Sequence, residues 1–348
     1  MKRLLAATTT LVLTISAVGF GIQAQGAGEE PPPAWAWGYK TTPEPGTKQV
    51  LPNLAPAAPA AAPAAAPDQT LYSIEGSKFK FTRAQVNNRH APADWFPEDH
   101  PPMPDIVAKG RENANIYACG LCHMPNGKGR PENANVTGLS YEYIMQQLMD
   151  FKNDHRKTSD PRKSNTLLME HFAKEMTYEE MDTAAKYFSQ IPATKWTKVV
   201  ESDTAPKTKA GGAGIFFPLE GAEAGTEPLG NRIVEIPVSQ HSFDVLRHPR
   251  SDFTAYVPKG SVKKGEAIVR TGGGKTTACV ICHGQDLRGL GPVPRLANRS
   301  PSYLTRQLYD MKHGNRTGAW SPLMAQVVSN LNNDDLLVIS AYLASLDP

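Results

Sequence analysis

Two copies of one five-residue pattern constrain this chain more than any other feature: Cys119-Gly-Leu-Cys122-His123 and Cys279-Val-Ile-Cys282-His283. Together they use all four cysteines of the 348-residue sequence. CxxCH is the attachment signature of c-type haem. Two thiols three positions apart reach the two vinyl groups on one porphyrin edge and form thioethers. The next residue, histidine, is then held beneath the iron and supplies its proximal nitrogen. The motifs therefore predict two covalently bound haem c groups, on Cys119 and Cys122 and on Cys279 and Cys282, with His123 and His283 on the metals. Other readings explain less. A four-cysteine zinc site needs the two pairs close in the fold and leaves both histidines incidental. A thioredoxin-like redox pair accounts for one motif but not for two with the same histidine. A disulfide across CxxC would be strained.

The motifs sit in an internal repeat. Cys119 and Cys279 are 160 positions apart, and the same offset relates Gly129 to Gly289, Ser140 to Ser300 and Tyr143 to Tyr303. It also relates Gln147-Leu148 to Gln307-Leu308, Asp150 to Asp310, Lys152 to Lys312 and Arg156 to Arg316. Downstream the offset falls to 155, pairing Met169 with Met324 and Tyr187 with Tyr342, so the first copy carries five extra residues. One cofactor motif per copy predicts two similar domains, over 103–191 and 259–348. Both read as mainly α. Helices are expected over Met103–Ala118 and over Val262–Thr271. Tyr143, Ile144, Leu148 and Phe151 fall on one helical face, as do Tyr303, Leu304, Leu308 and Met311. The last helix of the first copy starts at Thr177, with Glu180 placed for a capping box, and that of the second starts after Asn332 or Asn333. About ninety residues is small for an independent core, but an enclosed haem adds a large apolar centre.

The sixth iron ligand decides the chemistry. A methionine thioether raises the potential and suits an electron carrier. Met169 and Met324 hold the same place in the repeat, just before the last helix, and are the candidate metal ligands. The competing fate of each is core filling. In the first copy Met145, Met149, Met176, His155 and His171 lie nearby in sequence. In the second, Met311 competes, but it stands on an apolar stripe at the position of Phe151.

The remaining segments carry less. Residues 1–26 read as a signal peptide, with basic Met1-Lys2-Arg3, an apolar run over Leu4–Ile22 and small residues at Ala24 and Gly26; an uncleaved membrane anchor is the alternative. Residues 27–69 read as a disordered Pro/Ala-rich tether, most plainly LAPAAPAAAPAAAP from Leu54 to Pro67. Within it Trp35-Ala36-Trp37-Gly38-Tyr39 is free either to dock or to stay on the surface. Residues 70–102 read as an irregular lead-in. Residues 192–258 read as a long, mostly irregular connector with one short strand at Arg232–Pro237. Gly272-Gly-Gly-Lys275-Thr276 lacks the first glycine of a phosphate loop, where this chain has Val269. Arg156, Arg316 and Trp320 are candidate donors to haem propionates, with a solvated surface role as the alternative. The formal charge of +3 falls to +1 without Lys2 and Arg3, too mild to indicate nucleic acid as a partner.

The arrangement resembles the tandem two-haem class I cytochromes c, the periplasmic diheme electron carriers. The second copy carries the resemblance through CxxCHG from Cys279 to Gly284, Pro294-Arg295-Leu296-Ala297 and Tyr303-Leu-x-x-Gln307-Leu308. It continues through Gly314-x-Arg316 to Met324. The first copy departs from it, with Met124 in place of the glycine and Asp154 where Gly314 stands. The resemblance covers about 103–191 and 259–347 and leaves out the connector. It implies helical haem domains, His/Met ligation and haems close enough to exchange electrons. The expected function is one-electron transfer in the periplasm, between a dehydrogenase or respiratory donor and a terminal acceptor, with redox proteins as partners. A diheme peroxidase, with His155 or His171 as a displaceable ligand, is the enzyme alternative. A haem subunit of a larger dehydrogenase is the third reading.

Overall fold

The computed structural model describes residues 30–49, 68–212 and 214–348. The signal segment and the Leu54–Pro67 stretch of the tether lie outside them. From Pro31 to the C-terminus the chain forms one compact unit.

The first copy is built from α2 (Asp105–Ala108), α3 (Cys119–His123), α4 (Tyr141–Lys152), α5 (Ser164–Glu175) and α6 (Tyr178–Ser189). It follows a lead-in with the hairpin β1 (Leu71–Ser73) and β2 (Lys80–Thr82) and the helical turn α1 (Arg83–Val86). The expected helix over Met103–Ala118 does not form. Only α2 and a 3-10 turn at Glu112–Ala114 are helical there. Gly110 takes φ +66°, and a Cβ on it would lie 2.2 Å from the Ile116 carbonyl oxygen. The chain doubles back through an Arg111–Ile116 bridge instead. Thr177 caps α6 in a reciprocal box with Glu180, as its sequence predicts. Ile106, Phe151, Met181 and Phe188 are among the side chains of this core.

The second copy contains α7 (Ser261–Thr271), α8 (Val280–His283), α9 (Pro301–Lys312), α10 (Ser321–Val328) and α11 (Asn333–Ser345). Asn332 caps α11 in a box with Asp335. Helices α7 and α11 cross closely because Gly265 has no side chain. A Cβ there would stand 1.9 Å from the Val338 carbonyl oxygen.

The connector is more ordered than its sequence suggests. Besides the one expected strand, β8 (Val234–Pro237), it forms β3 (Thr197–Glu201), β4 (Thr204–Pro206), β5 (Thr208–Ala210), β6 (Phe216–Pro218), β7 (Thr226–Pro228) and β9 (Phe253–Val257). Strand β9 is central, parallel to β3 and antiparallel to β8; β4 pairs with β7 and β5 with β6. Val234, Ile236, Ala255 and Val257 of this sheet share one core with Leu336, Ile339 and Leu343 of α11. The strands are three to five residues long, too short for period-two alternation to register in the sequence.

The aromatic cluster of the tether docks. Ala34–Trp37 forms a buried 3-10 turn. Trp37 Nε1 donates to Thr158 Oγ1 at 2.9 Å, and its ring meets Tyr309 edge-on with centroids 5.6 Å apart. Tyr39 donates to the Arg162 carbonyl at 2.9 Å. This turn thus touches the first copy at 158–162 and the second at α9.

Candidate haem sites and the seam between them

Each CxxCH motif forms a short helix, and the two are positioned alike. His123 Nδ1 lies 2.8 Å from the Ala134 carbonyl, and His283 Nδ1 lies 2.8 Å from the Pro294 carbonyl, the same place in the repeat. A carbonyl only accepts, so Nδ1 carries the proton and Nε2 keeps its lone pair for a metal. The loop after each motif closes in the same way. The Gly129 N–H donates to the His123 carbonyl at 2.8 Å, and the Gly289 N–H to that of His283 at 3.0 Å. Burial lowers the pKa of both histidines, which keeps them neutral and able to ligate.

An open cavity of about 170 Å³ is lined by Cys119, Cys122, His123 and Met169. Ile144, Leu148, Phe151 and Phe172 supply apolar walls. Of the rival ligands in this copy, Met176 reaches the cavity. At the 155 offset Met176 matches Leu331, and both are buried core residues. His171 lies instead with Nε2 3.3 Å from the Ala114 carbonyl, and His155 is exposed. In the second copy Met324 is half-buried in α10 against the core, Cys279 is half-buried and Cys282 is exposed. Met311 also packs on that core.

Burial pushes the Cys119 thiol up to about 12 and the Cys279 thiol up to about 11. A thioredoxin-like pair needs a lowered pKa, so these are not reactive thiolates. Cys119 and Cys122 belong to one hydrophobic core and Cys279 to another, so the two pairs do not make a common four-cysteine site.

The first cavity extends to the second copy, where Tyr303, Gln307 and Asp310 of α9 line it. Here the repeat folds onto itself. Arg156 and Arg316 form an antiparallel bridge. Arg156 donates to Gln147 Oε1 at 2.9 Å and to Gln307 Oε1 at 2.9 Å, while Arg316 donates to the same two oxygens at 2.6 and 3.2 Å. Arg156 also donates to the Tyr303 hydroxyl at 3.1 Å. Ser159 donates to Asp310 through its backbone N–H at 2.8 Å and through its hydroxyl at 2.6 Å. Arg156 and Arg316 are therefore buried across a seam rather than solvated, whereas Trp320 is exposed. The repeat pairing matched Gln147 with Gln307, but did not show that both accept from the same two arginines. Arg299, buried nearby with its guanidinium 5.3 Å from the Tyr303 ring, was missed because an isolated arginine in a sequence reads as surface.

Two buried donors of this region, Arg299 Nη1 and Arg316 Nε, have no acceptor among the described residues. A flat apolar group attached to Cys119 and Cys122 would fill the greasy cavity beside His123, and Arg156 and Arg306 on its wall would face its carboxylates. The residues present fit haem.

Relatives agree. Cytochrome c4 of Azotobacter vinelandii is 33% identical over 250 residues, covering 69% of this chain and 89% of that protein. The chain belongs to the cytochrome c4 family. It is a two-haem electron-transfer cytochrome and carries two covalently bound haem c groups. The thiosulfate dehydrogenase electron acceptor of Stutzerimonas stutzeri is 23% identical over 244 residues, covering 69% of this chain and 84% of that protein. Cytochrome c-552 of Acidithiobacillus ferridurans is 35% identical over 92 residues; the match spans 26% of this chain and 39% of that protein. No family model matches the chain.

Proposed function

We propose that this cytochrome c4 relative is a periplasmic carrier that takes single electrons from a dehydrogenase and passes them on to another redox protein. When bound, each haem supplies a one-electron ferric/ferrous couple. The chain's residues do the rest. Cys119 and Cys122 anchor the first group and Cys279 and Cys282 the second. The Ala134 and Pro294 carbonyls hold His123 and His283 with Nε2 turned to the metal. Met169 and Met324 close the opposite faces. Phe151, Phe172 and their neighbours exclude water, and Arg156 and Arg306, which line the first cavity, would receive the propionates.

The observation that carries this reading is the matched pair of oriented histidines, each with a methionine at the same place in its repeat. With a histidine and a methionine in each copy to hold its iron, the chain would leave no open site for substrate, which favours a carrier over a peroxidase. The positions of His155 and His171 point the same way. A dehydrogenase as donor is supported by two relatives' names, the electron acceptor above and the cytochrome subunit of sulfide dehydrogenase of Chlorobaculum tepidum. Export is supported by the signal-like N-terminus, and no helix of the described residues is long and apolar enough to cross a membrane. The test is a redox titration with absorption spectra on the purified holoprotein, after intact-mass analysis. Two haems by mass, two low-spin centres and negligible carbon monoxide binding at neutral pH are expected. Rapid turnover of hydrogen peroxide would overturn the carrier reading.

A further inference from the structure

The two attachment loops have the same internal geometry and opposite surroundings. Leu121 and Ile281 are the same position of the motif, yet Leu121 is 9% exposed and Ile281 66%. The contrast continues along the loop. Asn126, Lys128 and Arg130 are buried, while their counterparts Asp286, Arg288 and Leu290 are exposed. The two loops share one internal geometry, so the difference lies in the protein around them.

What covers the first loop is residues 238–252, between β8 and β9. Arg247 donates to the Leu121 carbonyl, and Asn126 Nδ2 donates to the Pro249 carbonyl at 3.0 Å. The Arg130 guanidinium lies 3.5 Å from the centre of the Phe243 ring. This cap is itself held from behind. Trp95 Nε1 donates to the Leu246 carbonyl at 2.9 Å, and Arg250 donates to both carboxylate oxygens of Asp99 at 2.6 Å. The lead-in and the connector, both outside the repeat, combine over the first attachment loop.

We propose that the 238–252 cap seals the thioether edge of the first haem against partners, and that electrons cross to and from other proteins at the second edge, on the surface around Ile281, Gln285 and Leu290. The inference rests on the carrier reading above and adds to it a single port. Its occupant is a redox protein with an apolar, weakly charged face. The exposed charges of the loop, Asp286 and Arg288, are of opposite sign and cancel. Ile281 and Leu290 then provide the adhesive surface, and steering by charge contributes little.

The holoprotein with both haems, confirmed by mass, is reduced by photoreduced flavin mononucleotide, an anionic probe. Ile281→Lys should speed the bimolecular phase and Ile281→Glu should slow it, each at least two-fold at low salt. Val238 on the cap is 69% exposed, so Val238→Lys and Val238→Glu are matched controls and should leave the rate unchanged. Rates that follow the Val238 charges as strongly as the Ile281 charges would overturn the single port. A second readout needs no electron flow. Titration with redox-silent, zinc-substituted azurin should shift backbone amide resonances at 281–290 and spare 238–252, with little dependence on salt. Shifts centred on the cap, or binding that weakens steeply with salt, would refute the assigned surface and partner. A preparation lacking two haems would refute the underlying reading before either measurement.

Discussion

Met169 and Met324 are where a single side chain has the most influence. Each lies in a helix just before a capped final helix, and each is proposed as the second iron ligand of its copy. A thioether has no proton to lose and holds iron in both redox states over a wide pH range. Met324→Ala should remove the second centre's share of the weak far-red sulfur-to-iron charge-transfer band, lower that centre's potential and open it to exogenous ligands. Met169→Ala should do the same to the first. Unchanged spectra for Met169→Ala would move the ligand to Met176, the other methionine on that cavity. A second residue-scale outcome concerns Asp310. Burial raises its carboxyl to about 6, against the hydrogen bonds from Ser159 and the nearby guanidinium groups of Arg316 and Arg306. A carboxyl raised in the folded state favours folding below its unfolded value of 3.8, and that contribution is lost as pH rises through 6. Asp310→Asn keeps an acceptor for Ser159 and loses the titration. It should flatten the pH dependence of stability between about 4 and 6 and stabilise the protein at pH 7 by on the order of 2 kcal/mol, read from denaturant midpoints across pH.

The elements that a sequence reveals are those with a local signature. Helices α4, α6, α9 and α11 announce themselves by an apolar stripe and a cap, and the CxxCH helices by their chemistry. The four cysteines and the two motif histidines were legible because attachment of a cofactor imposes spacing, while Met169 and Met324 are proposed as ligands on their shared place in the repeat. What was hidden depends on partners distant in sequence. The connector's strands owe their order to pairing between segments such as 197–201 and 253–257, and no pattern of three to five residues encodes that. Met103–Ala118 looked helical from its sequence, but Gly110 and Asn115 within it both adopt positive φ. Trp35–Tyr39 could be read two ways until its neighbours were known. Now it yields a prediction. Trp37 is fully buried against Tyr309, with its indole N–H satisfied by Thr158. Trp37→Ala should destabilise the protein by about 3 kcal/mol or more, measured as a shift in the urea midpoint, while the cysteine-linked haems stay attached.

At the scale of the whole molecule, the seam makes two repeats into one unit. Gln147 and Gln307 each accept from both Arg156 and Arg316, so each copy completes the other's hydrogen bonds. Around them stands Tyr303. Burial alone would raise its phenol, but the guanidinium groups of Arg156, Arg299 and Arg316 outweigh that and bring it down to about 7. A phenol lowered in this way stabilises the fold fully above its ordinary value of 10, and the contribution fades as pH falls toward 7. Replacing both arginines removes the donors to the half-buried Gln147 and Gln307, and an acceptor left unpaired away from water costs up to about 1–3 kcal/mol. The loss falls on contacts between copies, because the α4–α6 and α7–α11 cores are untouched. The double variant Arg156→Ala, Arg316→Ala should therefore unfold in two thermal transitions where the parent shows one. Its Tyr303 phenol, freed of two of its three cations, should no longer titrate near neutrality in ultraviolet difference spectra. A single unshifted transition would mean that the docked Trp35–Tyr39 turn and the connector sheet, rather than the arginine seam, hold the two haem-binding copies together.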